Sequence, residues 1–357
     1  VYIDETDQAR SLGGASKWWL HHSLTSLSSG LENLGLDLFI RRGEAQDVLG
    51  SIIETTGADH VVWNRRYSAD GIERDKAIKE SLTNGDVKTE SFKANLLHEP
   101  WEIKSGNGGY YKVFTPYWKA VLRGDDIPPA LPAPENAASF TGNIETLALC
   151  ELGLLPTRPD WAAKMKPHWQ PGSTGALDAL STFLDGPVDT YKDDRNLPDR
   201  VGTSRLSPHL AFGEISPRQI WHITRERTDN GDKFLSEIGW REFSYTLLFY
   251  NPDLATDNFK TDFDAFEWSH SDENLQRWQK GLTGYPFVDA GMRELWATGW
   301  QHNRVRMVTA SFLIKHLLID WREGEKWFWD TLVDADPASN AASWQWVAGS
   351  GADAAPY

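Results

Sequence analysis

Strand-forming sequence in this chain stops early, and that confines the architectures open to it. Up to Phe92, helical apolar stripes alternate with short β-branched or apolar runs; beyond it, helical spacing dominates. Trp18, Leu20, Leu24, Leu27, Leu31 and Leu34 predict a helix over 16–34, with a strand following at Leu36–Ile40. Ala45–Thr56 predicts a second helix closed by Gly57, and His60–Trp63 a buried strand. A helix over Arg74–Leu82 and a strand over Val87–Phe92 continue the alternation. Helix and strand in turn imply a Rossmann-like α/β domain built on a parallel sheet, expected over 1–105 and short of its opening strand.

Gly106, Gly108 and Gly109, then Pro128, Pro129, Pro132 and Pro134, mark 106–159 as a long connector. Helices are expected at 174–184, 208–212, 217–227, 233–250, 272–280, 287–299, 303–318 and 326–332, so 160–357 reads as an all-α domain. Ser216-Pro217 and Ser271-Asp272 are helix starts, and Pro286 precedes another. A length of 357 residues suits two cores, because single cores rarely grow past about 250–300 residues.

A net charge of −15 argues against indiscriminate attraction to a nucleic-acid backbone, which needs a positive surface. Arginines nonetheless crowd the second half, including Arg195, Arg205, Arg304 and Arg306, so if the protein binds DNA, that half is expected to do it. No apolar run approaches the ~20 residues of a membrane span, and no signal-peptide pattern opens the chain. The expectation is a cytoplasmic protein without a membrane partner. One cysteine, Cys150, rules out an internal disulfide and a multi-cysteine metal site.

Tryptophans, arginines and carboxylates concentrate between Thr283 and Tyr357, and such residues are costly to bury without polar partners. A planar, partly charged ligand would account for them; so would an aromatic core. Thr203-Ser-Arg-Leu-Ser207 places hydroxyls and amides at a helix start, a place that suits phosphate, although Ser and Thr are also ordinary caps. Gly349-Ser-Gly351 with Ala354 has dinucleotide-fingerprint spacing but lacks the preceding strand and the later acid. Asp334, Asp336 and Asn340 begin like a calcium loop, yet Ser339 and Gln345 stand at the glycine and glutamate positions. No metal is expected; the carboxylates suit an arginine, and Arg306 is the candidate. His302 and His21-His22 lack further ligands at metal spacing, and no serine elbow or activated cysteine supports covalent catalysis.

Taken together, Thr203–Glu214, Trp240-Arg-Glu-Phe243, Thr283-Gly-Tyr-Pro286, Trp300-Gln-His-Asn-Arg304 and Trp344-Gln-Trp346 resemble the flavin-binding domain of the photolyase/cryptochrome family in order and spacing. Trp63–Tyr67 and Val113–Pro116 extend the resemblance. It implies an FAD held in a folded-back shape. Tyr191, Thr203, Ser204, Arg205, Leu206 and Ser207 would grip its phosphates and ribityl. Arg241, Trp300, Asn303, Arg306, Asp334 and Asp336 would line the flavin, with Asn340 opposite the isoalloxazine N5 and an Arg306–Asp336 type of buried pair. Phe234 departs from a tryptophan found in some members.

The same resemblance implies light-driven splitting of cyclobutane pyrimidine dimers in DNA, a carbon–carbon lyase activity. Trp240 and Trp346 would wall the lesion pocket. Glu237 would bond the base edges, Asn303 and Met307 would lie beside it, and Arg195 and Arg304 would hold phosphates. Trp344, Trp321 and Trp268 match the family's tryptophan relay from flavin to surface. Plant-type cryptochromes carry an aspartate at the position of Asn340, and (6-4) enzymes carry histidines at those of Asn303 and Met307. A blue-light photoreceptor signalling through a protein partner is the alternative. Phe234–Gly239 and Ala290–Trp296 look closest to the bacterial class III branch, which implies a methenyltetrahydrofolate antenna in preference to a deazaflavin. Gly109 stands where some folate-binding relatives have a glutamate. A monomer is expected.

Overall fold

The computed structural model describes residues 1–3, 10–124, 126–135 and 137–354. In the N-terminal part, β1 (Tyr2–Ile3), α1 (Gly14–Glu32), β2 (Arg41–Arg42), α2 (Ala45–Thr56), β3 (His60–Asn64), α3 (Ala69–Asn84) and β4 (Lys88–Phe92) alternate as the periodicity requires. β1 pairs with β2 and β3 with β4, both parallel, with Tyr2 opposite Arg41 and His60 opposite Lys88. Gly57 closes α2 in the left-handed region at φ 68°, its N–H donating to Ile53 O.

Two strand expectations need correction. The run Leu36–Ile40 is not a strand: Ile40 N donates to Thr146 Oγ1 and Ile40 O accepts from Leu147 N, so pairing moves on to Arg41–Arg42. His60–Trp63 is a strand but is not buried, since alternate residues face outward and Val62 is 56% exposed. A two-stranded sheet covers its apolar faces poorly.

The connector contains α4 (Phe114–Val121), which the glycine and proline count concealed. From there the described chain is helical: α5 (Ser173–Leu184), α6 (Pro187–Asp194), α7 (Ser207–Ala211), α8 (Pro217–Arg227), α9 (Asp232–Tyr250), α10 (Asp272–Gln279), α11 (Pro286–Thr298), α12 (Asn303–Ser311), α13 (Trp321–Thr331) and α14 (Pro337–Ala348). α8 opens with a capping box in which Ser216 Oγ accepts from Gln219 N while Gln219 Oε1 accepts from Ser216 N. The expected helix over 303–318 changes at Phe312–His316 into a single π-helical turn. The helix expected from Lys326 starts five residues earlier, because Asp320 Oδ1 accepts from Arg322 N at 3.0 Å and caps α13 there.

Three apolar clusters hold the helical part together. Leu180, Phe183, Ile220 and Leu235 join α5, α8 and α9; Trp278, Leu313, Trp321, Phe328 and Trp344 join α10 to α14; Tyr117, Phe243, Leu247 and Ala341 join α4, α9 and α14. Trp278 and Trp321 are fully buried, and truncating a side chain of that kind costs about 3–5 kcal/mol. Close approach fixes the geometry of α13 against α14. A Cβ on Gly324 would stand 2.1 Å from the Trp344 ring, so α14 can lie where it does only over a glycine.

Candidate functional site

The ends and faces of α6, α7, α9, α12 and α14 surround a cavity of about 620 Å³. Each element supplies residues at its own period. On α9, Lys233, Phe234, Glu237, Trp240, Arg241 and Ser244 recur three or four apart and so form one face. α12 turns Asn303, Arg304, Arg306 and Met307 to the same space, and α14 contributes Ser339, Asn340, Trp344 and Trp346.

The Thr203–Ser207 stretch lines one end of the cavity. Arg205 takes φ 52°, unusual for a residue with a side chain, and its guanidinium lies 4.6 Å from the centroid of the Trp300 ring. Leu206, 2% exposed, anchors the turn. Hydroxyls, backbone amides and a fixed cation meet here, which is the chemistry of an anion site.

Asp334 and Asp336 divide the polar work at the opposite wall. Arg306 donates from Nη2 to Asp334 Oδ2 at 2.8 Å and from Nε to Gln301 O at 2.7 Å. Asp336 is occupied otherwise: Oδ1 accepts from Ala338 N and Ser339 N and caps α14, while Oδ2 accepts from Tyr245 Oη at 2.6 Å. The expected Arg306–Asp336 pair is therefore corrected to Arg306–Asp334, because both oxygens of Asp336 are already used. Arg241 donates to Asn95 O and lies 4.8 Å over the Tyr245 ring. Burial opposes its charge, but Tyr245, Asp336 and Glu242 outweigh that and raise its pKa.

On the cavity lining Glu237 forms an ion pair with Arg195 at 2.9 Å and accepts from Lys233 at 2.7 Å. Arg195 also lies 5.7 Å over the Tyr191 ring, and its Nε is buried without a partner among the described residues. Burial and then Glu237 push Tyr191 up to about 12, so it stays a hydroxyl donor. Arg304 is held by Asn196 Oδ1 at 2.9 and 2.7 Å and touches Met307 Sδ at 3.1 Å. His302 caps α12 by accepting from Arg304 N through Nδ1. Burial, reinforced by Arg304, Arg306, Arg195 and Arg205, lowers its pKa and favours the neutral ring that a cap acceptor needs. Trp240 stacks on Phe114 with centroids 3.8 Å apart and planes 10° from parallel.

The structure thus brings together Tyr191, Arg195, Thr203 to Ser207, Glu237, Trp240, Arg241, Trp300, Asn303, Arg304, Arg306, Met307, Asp334, Asp336, Asn340, Trp344 and Trp346 as lining of one cavity. Trp321 and Trp268 stand outside that lining. Trp321 is fully buried in the same apolar cluster as Trp344 and donates to Asn258 Oδ1, and Trp268 packs half-buried against that cluster. Sequence reasoning missed Tyr245, Asn196 and Glu325, which touch cavity residues across long sequence separations, and gave Phe114 no place at the site although it lies within Val113–Pro116. Gly349 closes α14 at φ 93°, so a helix and not a strand precedes the apparent dinucleotide fingerprint.

An anion-suited end, a wall set by the Arg306–Asp334 pair, and broad aromatic walls fit a large planar cofactor with a phosphate arm. Comparison with known proteins agrees. The family model described as the FAD binding domain of DNA photolyase matches residues 234–357, and the model described as DNA photolyase matches 1–135. A deoxyribodipyrimidine photo-lyase of Agrobacterium fabrum is 52% identical, aligned across 100% of this chain and 75% of its own length. Cryptochrome-1 of Arabidopsis thaliana is 36% identical over 98% of this chain and 53% of its own. The crystal structure of a bacterial class III photolyase from Agrobacterium tumefaciens superimposes with a TM-score of 0.96 at 50% identity, over 100% of this chain and 74% of that one. With its N-terminal α/β part and helical FAD-binding part, the chain belongs to the DNA photolyase family.

Proposed function

We propose that this chain is a light-dependent lyase that repairs cyclobutane pyrimidine dimers in DNA, with FAD in the cavity. The observation that carries the reading is the composition of the cavity lining. Trp240, Trp346, Glu237, Arg195 and Arg304 all line the one cavity, and they would form its mouth, with two aromatic walls, an acceptor and two cations. Bound FAD supplies a light-excitable electron donor. The chain's own residues bind, orient and exclude water. Tyr191 and Thr203–Ser207 would hold the phosphate arm; Arg241, Trp300, Asn303, Arg306, Asp334, Asp336 and Asn340 would hold the ring system.

A dimer must leave the duplex to enter such a mouth, and a damaged pair is the least costly to extrude. Stacking on the two tryptophans would return about 1–3 kcal/mol per base. Glu237 would accept from the base edges, beside Asn303 and Met307, while Arg195 and Arg304 meet the flanking phosphates. Trp344, Trp321 and Trp268 would carry electrons inward from the surface when the cofactor is oxidised. A methenyltetrahydrofolate antenna, action as a monomer in the cytoplasm, and division into parts at about 105 and 159 complete the reading. Among the described residues no helix is long and apolar enough to cross a membrane.

A blue-light photoreceptor is the second reading, favoured by the cryptochrome relatives. Asn340, Trp240 and Trp346 favour repair. The deciding experiment illuminates the reduced, FAD-loaded protein with an oligonucleotide holding one dimer. Restored pyrimidines are expected; an unchanged dimer would refute the repair reading.

A further inference from the structure

The segment leading into α1 is laid flat on α13, remote in sequence from everything that lines the cavity. A Cβ on Gly13 would stand 2.1 Å from Trp329 O. Gly14 N donates to Asp330 Oδ1 at 2.8 Å, and Trp329 Nε1 donates to Ser11 O at 2.9 Å. Arg10 lies 4.0 Å over the Trp329 ring and reaches inward with both ends of its fork. Its Nη1 is 2.8 Å from Glu325 Oε1 and its Nη2 is 2.7 Å from Glu325 Oε2.

Glu325 is 3% exposed, and its other neighbour is Asn340. Asn340 Nδ2 lies 2.8 Å from Glu325 Oε1 and 3.1 Å from Glu325 O. Both of those atoms can only accept here, so the amide must turn its NH₂ toward them. The acceptor, Oδ1, is what Asn340 has left to offer the cavity that it lines. Turning the amide over would set Oδ1 against a carboxylate and a carbonyl in a buried place, where unmatched polar groups are most costly.

We propose that Arg10 is a positioning residue: its fork fixes Glu325, Glu325 fixes the Asn340 amide, and the cavity is thereby given an acceptor rather than a donor. The consequence for a bound flavin is a bias toward the form carrying a proton on the ring nitrogen that meets Asn340. This rests on the reading that the cavity takes FAD with that nitrogen toward Asn340. Arg10 itself needs no contact with the ligand, so control of the cavity begins in the N-terminal segment.

The test uses the full chain loaded with FAD and reduced stepwise, with the visible spectrum reporting the protonated fraction of the bound flavin. Arg10→Ala and Glu325→Gln should still take up FAD, while the protonated fraction relative to the unprotonated falls about tenfold, the order expected for one hydrogen bond involving a charged partner. Arg10→Lys keeps the charge without the fork and should fall between them and the parent. It also serves if the alanine variant does not fold. Equal spectra and equal protonation in all three variants and the parent would overturn the proposal. A second arm works without flavin: urea denaturation of Arg10→Ala, Asn340→Ala and the double variant. Non-additive losses are expected because both residues act through Glu325, and strict additivity would overturn the proposal. If the parent takes up no FAD the cofactor reading fails, and the flavin-free cycle still decides the clamp.

Discussion

Arg306 and Asp334 close on each other at 2.8 Å across the cavity wall, leaving Asp336 to cap α14 and receive Tyr245. The first pair fastens α12 to the turn before α14; the second sets the start of the helix that carries Asn340, Trp344 and Trp346. Asp334 is buried, so removing Arg306 leaves a carboxylate without its cation.

Arg306→Leu should therefore destabilise the protein by about 3–5 kcal/mol, the usual result of breaking one side of a buried pair. Asp336→Ala should cost about 1–2 kcal/mol, mostly as a lost cap. Urea denaturation of both variants tests the ranking. If Asp336→Ala proves the more harmful, the division of work between the two aspartates is wrong.

Much of this arrangement was legible from sequence, and the illegible parts have physical causes. Gly57, Ser216-Pro217 and Ser271 act within one turn of themselves, so their roles as helix ends were readable locally. Strand positions were less secure, since Ile40 bonds Thr146 and Leu147 and such a partner leaves no trace at Leu36–Ile40. α14 escaped because it packs on several sides and lacks an amphipathic stripe. The cavity residues were found through motif resemblance, whereas Tyr245, Asn196 and Glu325 act by long-range contacts that spacing does not encode. The Arg306 partner was misread for the same reason: two aspartates two residues apart look alike until their hydrogen bonds are seen.

Trp344 contacts the Phe328 and Trp278 rings and touches both the cavity and the apolar cluster that contains Trp321. Trp344→Phe should slow photoreduction of oxidised flavin by at least about tenfold, equivalent to ~1.4 kcal/mol of barrier. Repair by chemically reduced protein should persist. Flash photolysis beside a repair assay separates the two, and equal loss in both would remove Trp344 from the relay.

Arg304 and Glu237 should separate by salt and by lesion. Arg304→Ala should weaken damaged and undamaged DNA alike and reduce the salt slope of binding by about one. Glu237→Ala should act on the damaged duplex, lowering its affinity by about 1–3 kcal/mol while leaving undamaged DNA nearly unchanged. Titrations at several salt concentrations decide it. A lesion-specific effect from Arg304 alone would reverse the assignment.

Glu242 supplies a prediction in pH. Its Oε2 accepts from Leu97 N and His98 N, tying α9 to the segment after β4, while Oε1 is buried without a hydrogen bond among the described residues and Arg241 stays 3.9 Å away. Burial raises its pKa to about 7, more than Arg241 and the two amides offset. The folded state therefore holds a proton that the unfolded chain releases near the ordinary glutamate value. Between roughly pH 4.5 and 7 the folded form binds more protons, so this group makes stability fall as pH rises and then level off. Glu242→Gln keeps the shape and an acceptor for the amides but cannot ionise. Its stability relative to the parent should rise across that window by as much as roughly 3 kcal/mol, from the linkage between pKa and stability, and stay constant above it. Urea denaturation of both proteins at a series of pH values measures this difference; a difference independent of pH would show that Glu242 ionises as freely in the fold as in the open chain.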